Sequence, residues 1–197
     1  MRAEDVWKQR PDNMNPEAAR AVLLEVKGVL DVLQIPFFLI FGTCLGAIRE
    51  KGFIDCDFDI DLGIRHKDLM PKLNAVKAVF DCLGYETHYL STPYPYNRMI
   101  KVEKNGIRVD LVNWDLHKGR YFHPVEPDGK CHVFPQAMFD RLEWIDFLGT
   151  RFRVPNGVEG YLEQLYGLNW RTKDPSYSFR TATCLQLDYW NKEGICR

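Results

Sequence analysis

The chain has 197 residues, 46% of them hydrophobic, enough for one ordinary core or a core with a small appendage. Its 26 basic and 27 acidic residues leave a net charge of -1, a balance that argues against a general nucleic-acid binder but leaves room for a local phosphate site. No apolar run approaches the roughly 20 residues of a membrane span, the polar opening Met1 to Asp5 does not read as a secretory leader, and six scattered cysteines without a CxxC pair read as reduced thiols, so a cytoplasmic location is expected.

Asn15-Pro16-Glu17 is a helix start: a capping side chain, a proline where its missing N–H costs nothing, and an acid at the positive end of the dipole. Ala19, Val22, Leu23, Val26, Leu30 and Leu33 recur at three- and four-residue intervals, so this helix offers one apolar face to a core until Ile35-Pro36 stops it. Phe37 to Phe41, apolar and bounded by Pro36 and Gly42, suits a buried central strand. Gly42-Thr43 then opens a helical stretch from Cys44 to Glu50. A strand feeding a helix through small residues can bring backbone N–H groups and a hydroxyl to a phosphate, although a tight turn alone would select glycine equally.

Lys51 to Asp55 is a loop leading into the densest signal of the chain. Asp57, Asp59 and Asp61 alternate with Phe58, Ile60 and Leu62, so in a strand the acids share one face and the apolar residues the other. Such a row repels itself unless a cation covers it, and closely spaced carboxylates suit a hard ion such as Mg²⁺ or Mn²⁺. Arg49 and Lys51 stand near enough in sequence to add positive charge for a phosphate; they read equally as solvated surface groups.

Asp68 to Leu83 reads as a helix with Leu69, Leu73, Val76, Phe80 and Leu83 on one face and Gly84 as its stop. Tyr85 to Leu90 is a strand. Ser91 to Tyr96 is a loop whose Tyr94 and Tyr96 carry rings able to stack on a base, as plain loops also do. Asn97 to Glu103 and Ile107 to Asp115 form a hairpin around Lys104-Asn105-Gly106, since Asn-Gly supplies the positive φ angles of a tight turn. Asp110 interrupts the apolar second arm. Strand pairing that sets it beside Asp59 and Asp61 makes it a third metal carboxylate; the plainer reading pairs it with Arg108 or Arg98 at a sheet edge.

His117, His123, Cys131 and His132 are zinc ligands by type, but their spacing matches no standard finger, and a loop with incidental histidines is the preferred reading. Leu142 to Phe147 and Thr150 to Val154 read as strands joined at Leu148-Gly149. Asn156-Gly-Val-Glu159 caps a helix through Tyr166, which Gly167 ends. Beyond Trp170 the pattern fades, leaving Tyr189 and Trp190 as docking candidates.

The order of strand, Gly-Thr turn, helix, acid-bearing strand and later strand with one more acid resembles the DNA polymerase beta-type nucleotidyltransferase fold. A narrower match follows. Gly42-Thr-Cys-Leu-Gly-Ala-Ile-Arg49, then Lys51-Gly-Phe-Ile54 and Asp57-Phe-Asp-Ile-Asp61, resemble the LicD family, the group that includes fukutin and fukutin-related protein. That family's pattern runs Gly-Thr-Leu-Leu-Gly-Ala-Val-Arg, Lys-Gly-Phe-Ile, then Trp-Asp-Asp-Asp-Ile-Asp. A second segment, Phe147-Leu-Gly-Thr-Arg-Phe-Arg-Val-Pro155 followed by Tyr161-Leu162 and Leu165-Tyr-Gly167, is similar to the family's closing motif, so the two matches bracket roughly residues 39 to 170. Cys56 stands where the family has Trp, and Phe58 replaces the middle acid of its run. Glu86 to Pro135, where acceptor recognition is expected, has no close match.

The resemblance implies an α+β fold: a nucleotidyltransferase-like mixed β-sheet flanked by helices in a single domain. Residues 1–36 would supply an N-terminal helix packed on the core, 37–170 the catalytic unit and 171–197 an unassigned extension. It further implies transfer of a phosphate-linked group from a nucleotide-activated donor, of the CDP-choline or CDP-ribitol type, to a hydroxyl acceptor, a glycan among the candidates. In that reading Mg²⁺ or Mn²⁺, two ions in all, is held by Asp59, Asp61 and Asp110, the residues assigned to catalysis. Gly42 and Thr43 cradle the diphosphate, with Arg49, Lys51 and Asp57 around it. Nucleic acid is not an expected partner, and the oligomeric state is open. A nucleotidyltransferase moving NMP from an NTP shares every one of these residues. A non-catalytic nucleotide-binding module, or a solvated acidic strand that resists edge aggregation, is the remaining reading, against which three crowded acids weigh.

Overall fold

The computed structural model describes residues 14–55, 57–91, 98–124, 130–174 and 185–186. Helix α1 (Pro16–Val32) starts as its sequence dictates, with Asn15 Oδ1 accepting from the N–H groups of Glu17 at 3.1 Å and Ala18 at 3.0 Å. Ala19, Val22, Leu23, Val26, Val29 and Leu30 form its buried face. Strand β1 (Phe37–Leu39), helix α2 (Phe41–Leu45), a π-helical turn (Gly46–Glu50) and strand β2 (Asp59–Arg65) follow. Then come α3 (His66–Leu69), a 3₁₀ turn (Met70–Lys72) and α4 (Leu73–Cys82), succeeded by strands β3 (Glu86–Ser91), β4 (Arg98–Lys104), β5 (Ile107–His117), β6 (Arg120–Pro124) and β7 (Cys131–Pro135). Helix α5 (Gln136–Asp140), the hairpin β8 (Glu143–Phe147) and β9 (Thr150–Val154), helix α6 (Val158–Tyr166) and strand β10 (Leu185–Gln186) complete the described elements.

The long strand β5 is the spine of the mixed sheet. Residues 108–114 run parallel to β2 on one side, residues 107–111 run antiparallel to β4 on the other, and residues 115–117 pair with β6. Strand β1 lies outside β2, β3 outside β4, and β7 and β10 extend the sheet beyond β6, all by antiparallel pairing. Helices flank this mostly antiparallel α+β sheet, and one hydrophobic cluster joins Leu23 and Leu30 of α1 to Phe38, Ile60, Leu111, Phe139 and Leu162. The β4–β5 turn is the tight one expected, with φ of 55° at Asn105 and 73° at Gly106.

Several expectations need correction. In the run Phe37 to Phe41 the first four residues are buried and Phe41 is partly buried, yet β1 pairs only with β2 among the described residues and is not central. Its burial comes from faces and not from flanking strands, as in the edge-to-face packing of Phe37 on Phe152 at 6.3 Å. The helix expected over residues 68–83 begins at His66 and is split around Pro71, whose missing N–H favours the 3₁₀ turn, and Leu83 is exposed as the C-cap. The segment read as a histidine-bearing loop forms β6 and β7. Both faces of these strands are buried at Tyr121, Phe122, Val133 and Phe134, so no polar–apolar alternation marks them. Helix α6 is capped by Gly157 at φ 65°, not by the Asn156 side chain, and the Gly157 N–H donates to Glu143 Oε1 at 2.8 Å. Tyr94, Tyr96, Cys56, Tyr189 and Trp190 lie outside the described residues.

Candidate active site

The parallel register of β2 and β5 sets Asp59 opposite Arg108 and Asp61 opposite Asp110. On the far side of β5, Lys101 of β4 stands opposite Asp110. Period-two geometry therefore lines up Asp61, Asp110 and Lys101 across three strands, with Asp59 and Arg108 in the adjoining row. One oxygen from each of Asp59, Asp61 and Asp110 lies within 4.8 Å of the others, the group among the described residues able to share a cation. The sequence-based placement of Asp110 beside the β2 acids and its pairing with Arg108 are both present. The sheet-edge position is not, because β5 is interior.

The first turn of α2 supports this row. Phe41 adopts φ 45°, a left-handed conformation unusual for a bulky residue. It is held by its N–H donating to the Tyr161 hydroxyl at 3.1 Å and by its ring packing 5.2 Å from His132 and 6.1 Å from Trp114. Gly42 comes next, and a Cβ there would lie 2.5 Å from Asp57 Oδ2, so glycine makes room for that carboxylate. The Thr43 Oγ1 accepts from the Asp61 N–H at 2.9 Å and ties α2 to β2. Thr43 is buried, so its oxygen positions the acid strand.

Charge is concentrated and only partly compensated. Burial first, then the charges of Asp59, Asp110 and Asp57, hold the Asp61 carboxyl well above the usual carboxylate range. Burial and the Asp59 charge push Asp57 up to about 7, and its Oδ2 is buried without a hydrogen-bond partner. Asp110 is raised by burial against the opposing pull of Lys101 and Arg108. Lys101 Nζ sits 3.0 Å from Asp110 Oδ2, and Arg108 reaches Asp59 Oδ2 through Nη2 and Asp110 Oδ1 through Nε at 3.3 Å. Crowded carboxylate oxygens, an unsatisfied one at Asp57 and a carboxyl strained towards protonation at Asp61 fit a hard divalent ion such as Mg²⁺ or Mn²⁺.

The other residues singled out earlier are placed differently. The Arg49 guanidinium turns to Glu50 Oε1 at 2.8 Å and to the Trp170 carbonyl at 3.1 Å, which docks the segment after α6. Lys51 is exposed and ends the π-helical turn in a left-handed conformation at φ 58°. His123 and His132 are cross-strand partners on β6 and β7, whereas His117 stands at the end of β5 opposite Arg120 and Cys131 lies opposite Pro124. Those four do not form a shared cation site among the described residues. Sequence reasoning missed Lys101 and the contact of Tyr161 with Phe41. Lys101 alternates with Ile100 and Val102 as a residue on a solvated strand face would, so nothing local announced either.

The profile of the LicD/FKTN/FKRP nucleotidyltransferase domain matches residues 34–157, more than half of the chain. Ribitol-5-phosphate transferase FKTN of Mus musculus is 25% identical over 177 residues, covering 83% of this chain and 35% of that protein. Ribitol 5-phosphate transferase FKRP of Mus musculus is 28% identical over 155 residues, covering 76% of this chain and 31% of that protein. The chain thus spans about a third of the length of these curated relatives. Among solved structures, the solution structure of the antibiotic-resistance factor ANT(2'')-Ia is similar with a TM-score of 0.51 at 15% identity, over 86% of this chain and 80% of that one, a likeness of fold alone. No helix among the described residues is long and apolar enough to cross a membrane.

Proposed function

Because the chain belongs to the LicD/FKTN/FKRP nucleotidyltransferase-domain family, we propose that it moves a phosphate-linked group from a nucleotide-activated donor of the CDP-alcohol type to a hydroxyl acceptor, a glycan among the candidates. The observation that carries this reading is the convergence of Asp59, Asp61 and Asp110 on one face of two parallel strands, beside the first turn of α2, where Gly42 makes room for Asp57. The names of the relatives, both ribitol phosphate transferases, support the donor class.

In this reaction the acceptor oxygen forms a bond to the distal phosphorus of the donor, the bond from that phosphorus to the bridging oxygen breaks, and CMP leaves with the bridging oxygen. The chain's task is to align the two and to manage charge. Asp59, Asp61 and Asp110 would hold a divalent ion, which when bound supplies positive charge to the phosphate oxygens. Thr43 fixes Asp61 through its backbone, and Gly42 makes room for the Asp57 carboxylate. Asp110 completes the carboxylate set, and a carboxylate of that set is the group assigned to take the proton from the acceptor hydroxyl.

Incubation with CDP-ribitol, CDP-choline and the four NTPs, each with Mg²⁺ and a panel of hydroxyl acceptors, tests the proposal by the nucleotide released. CMP accompanied by an acceptor phosphodiester is expected. Pyrophosphate from an NTP would replace this reading with NMP transfer.

A further inference from the structure

Two cations already sit inside the acidic row, and neither belongs to the motif that marks the site. Lys101 is 6% exposed and Asp110 5% exposed, so this is an interior charge layer and not a solvated rim. Arg108 is the bridging member: from the row it shares with Asp59 its guanidinium contacts both Asp59 and Asp110, while its Cζ lies 5.4 Å from the centre of the Phe58 ring. Phe58 stands where the sequence pattern of the family has an acid. An acid there would add to the repulsion among Asp57, Asp59 and Asp61; the ring instead gives Arg108 a platform.

Resting on the proposed donor chemistry, we infer that Arg108 is a two-position residue: counter-ion to Asp59 and Asp110 when no metal is bound, and ligand to the donor diphosphate once a divalent ion takes those carboxylates. The physical reason is competition. The oxygens that Arg108 contacts on Asp59 and Asp110 belong to two of the three carboxylates that converge on the candidate ion position, and a guanidinium and a divalent ion cannot neutralise the same oxygens at full strength. The Phe58 ring holds the guanidinium in the metal-free position; once displaced, the guanidinium stays tethered to β5 beside the row, where the next anion to arrive is the diphosphate, whose geometry suits a planar fork. Lys101 keeps Asp110 compensated in both states from β4. Metal and donor binding are thereby coupled through one side chain.

The test measures Mn²⁺ binding calorimetrically without nucleotide, and CDP binding with saturating Mn²⁺, for the wild-type chain, Arg108→Gln and Phe58→Ala. Arg108→Gln should tighten Mn²⁺ binding about ten-fold and weaken CDP binding about ten-fold, the scale of losing one close charge pair. Phe58→Ala leaves every charge in place and should tighten Mn²⁺ about two- to five-fold, the scale of a cation–π contact. It also keeps the inference testable should Arg108→Gln fail to fold. Equal Mn²⁺ affinity in all three proteins, or CDP affinity indifferent to Arg108, would overturn the inference alone. Absence of Mn²⁺ binding in every protein would overturn both it and the metal-dependent reading it rests on.

Discussion

Asp61 and Asp110, far apart in the chain, are register partners on the parallel strands β2 and β5, and the charge of Asp110 is one of the causes that hold the Asp61 carboxyl above its ordinary range. Two acids side by side inside a sheet repel each other unless a cation offsets their charge. This pairing sets the first expectation. Asp61→Asn should reduce transfer on the order of 10²-fold or more, the scale of losing one charge-stabilising group in a site of this type. In EDTA the same variant should be more stable than wild type by about 1 kcal/mol, because a buried repulsion is removed. Thermal unfolding with and without Mn²⁺ checks both halves: wild type should gain stability from the ion and Asp61→Asn should not. Undiminished turnover in the variant would remove Asp61 from the site.

Gly42 is explained by Asp57. An alanine Cβ would lie 2.5 Å from Asp57 Oδ2, so one of them must move. Gly42→Ala should therefore lose about 1–3 kcal/mol of stability together with most of the activity. In an Asp57→Ala background the stability cost should largely vanish. A double-mutant cycle by urea unfolding measures the coupling, and additive effects would mean that the contact is not the cause.

Thr43→Val is close in shape but removes the acceptor of the Asp61 N–H. The unsatisfied donor should cost about 1–3 kcal/mol, and activity should fall because β2 is no longer pinned to α2. Thr43→Ser should retain both properties. Equal behaviour of Val and Ser variants would show that the hydroxyl is not what matters.

His123 and His132 give a pH dependence with a defined sign. Burial lowers His123 to about 4, against a hydrogen bond to the Asn113 carbonyl at 3.0 Å; burial and the His123 charge lower His132 to about 3. Both imidazoles are neutral when folded at pH values where the unfolded chain protonates them. Their contribution is complete above pH 6.5 and is lost as pH falls through about 4 for His123 and about 3 for His132. The loss runs at about 1.4 kcal/mol per pH unit for each group. His123→Phe should flatten the slope of stability against pH between 6.5 and 4 by about one such share, read from denaturation midpoints across that range. A slope unchanged in the variant would place the acid sensitivity elsewhere.

Much of the architecture is legible where local rules act alone. The Asn15 cap, the period of the α1 face, the Asn105-Gly106 turn and the alternation of Asp59 and Asp61 with apolar residues each depend on a few adjacent positions, and each appears in the structure. The misread elements are those where tertiary burial erases the local signal. Strands β6 and β7 are covered on both faces and carry buried histidines, so they lack alternation. Lys101 alternates with Ile100 and Val102 in β4 as a solvent-facing residue would, and only its cross-strand partner Asp110 accounts for its burial.

Local chemistry, then, was enough to say that an acidic strand follows a glycine turn and that a later strand carries one more acid. It could not say that these strands run side by side in parallel, that Arg108 enters between the acids, or that Tyr161 steadies Phe41 ahead of Gly42. The register of segments distant in the chain is chosen by which apolar faces bury together and which polar groups find partners in doing so. That choice is a property of the packed whole.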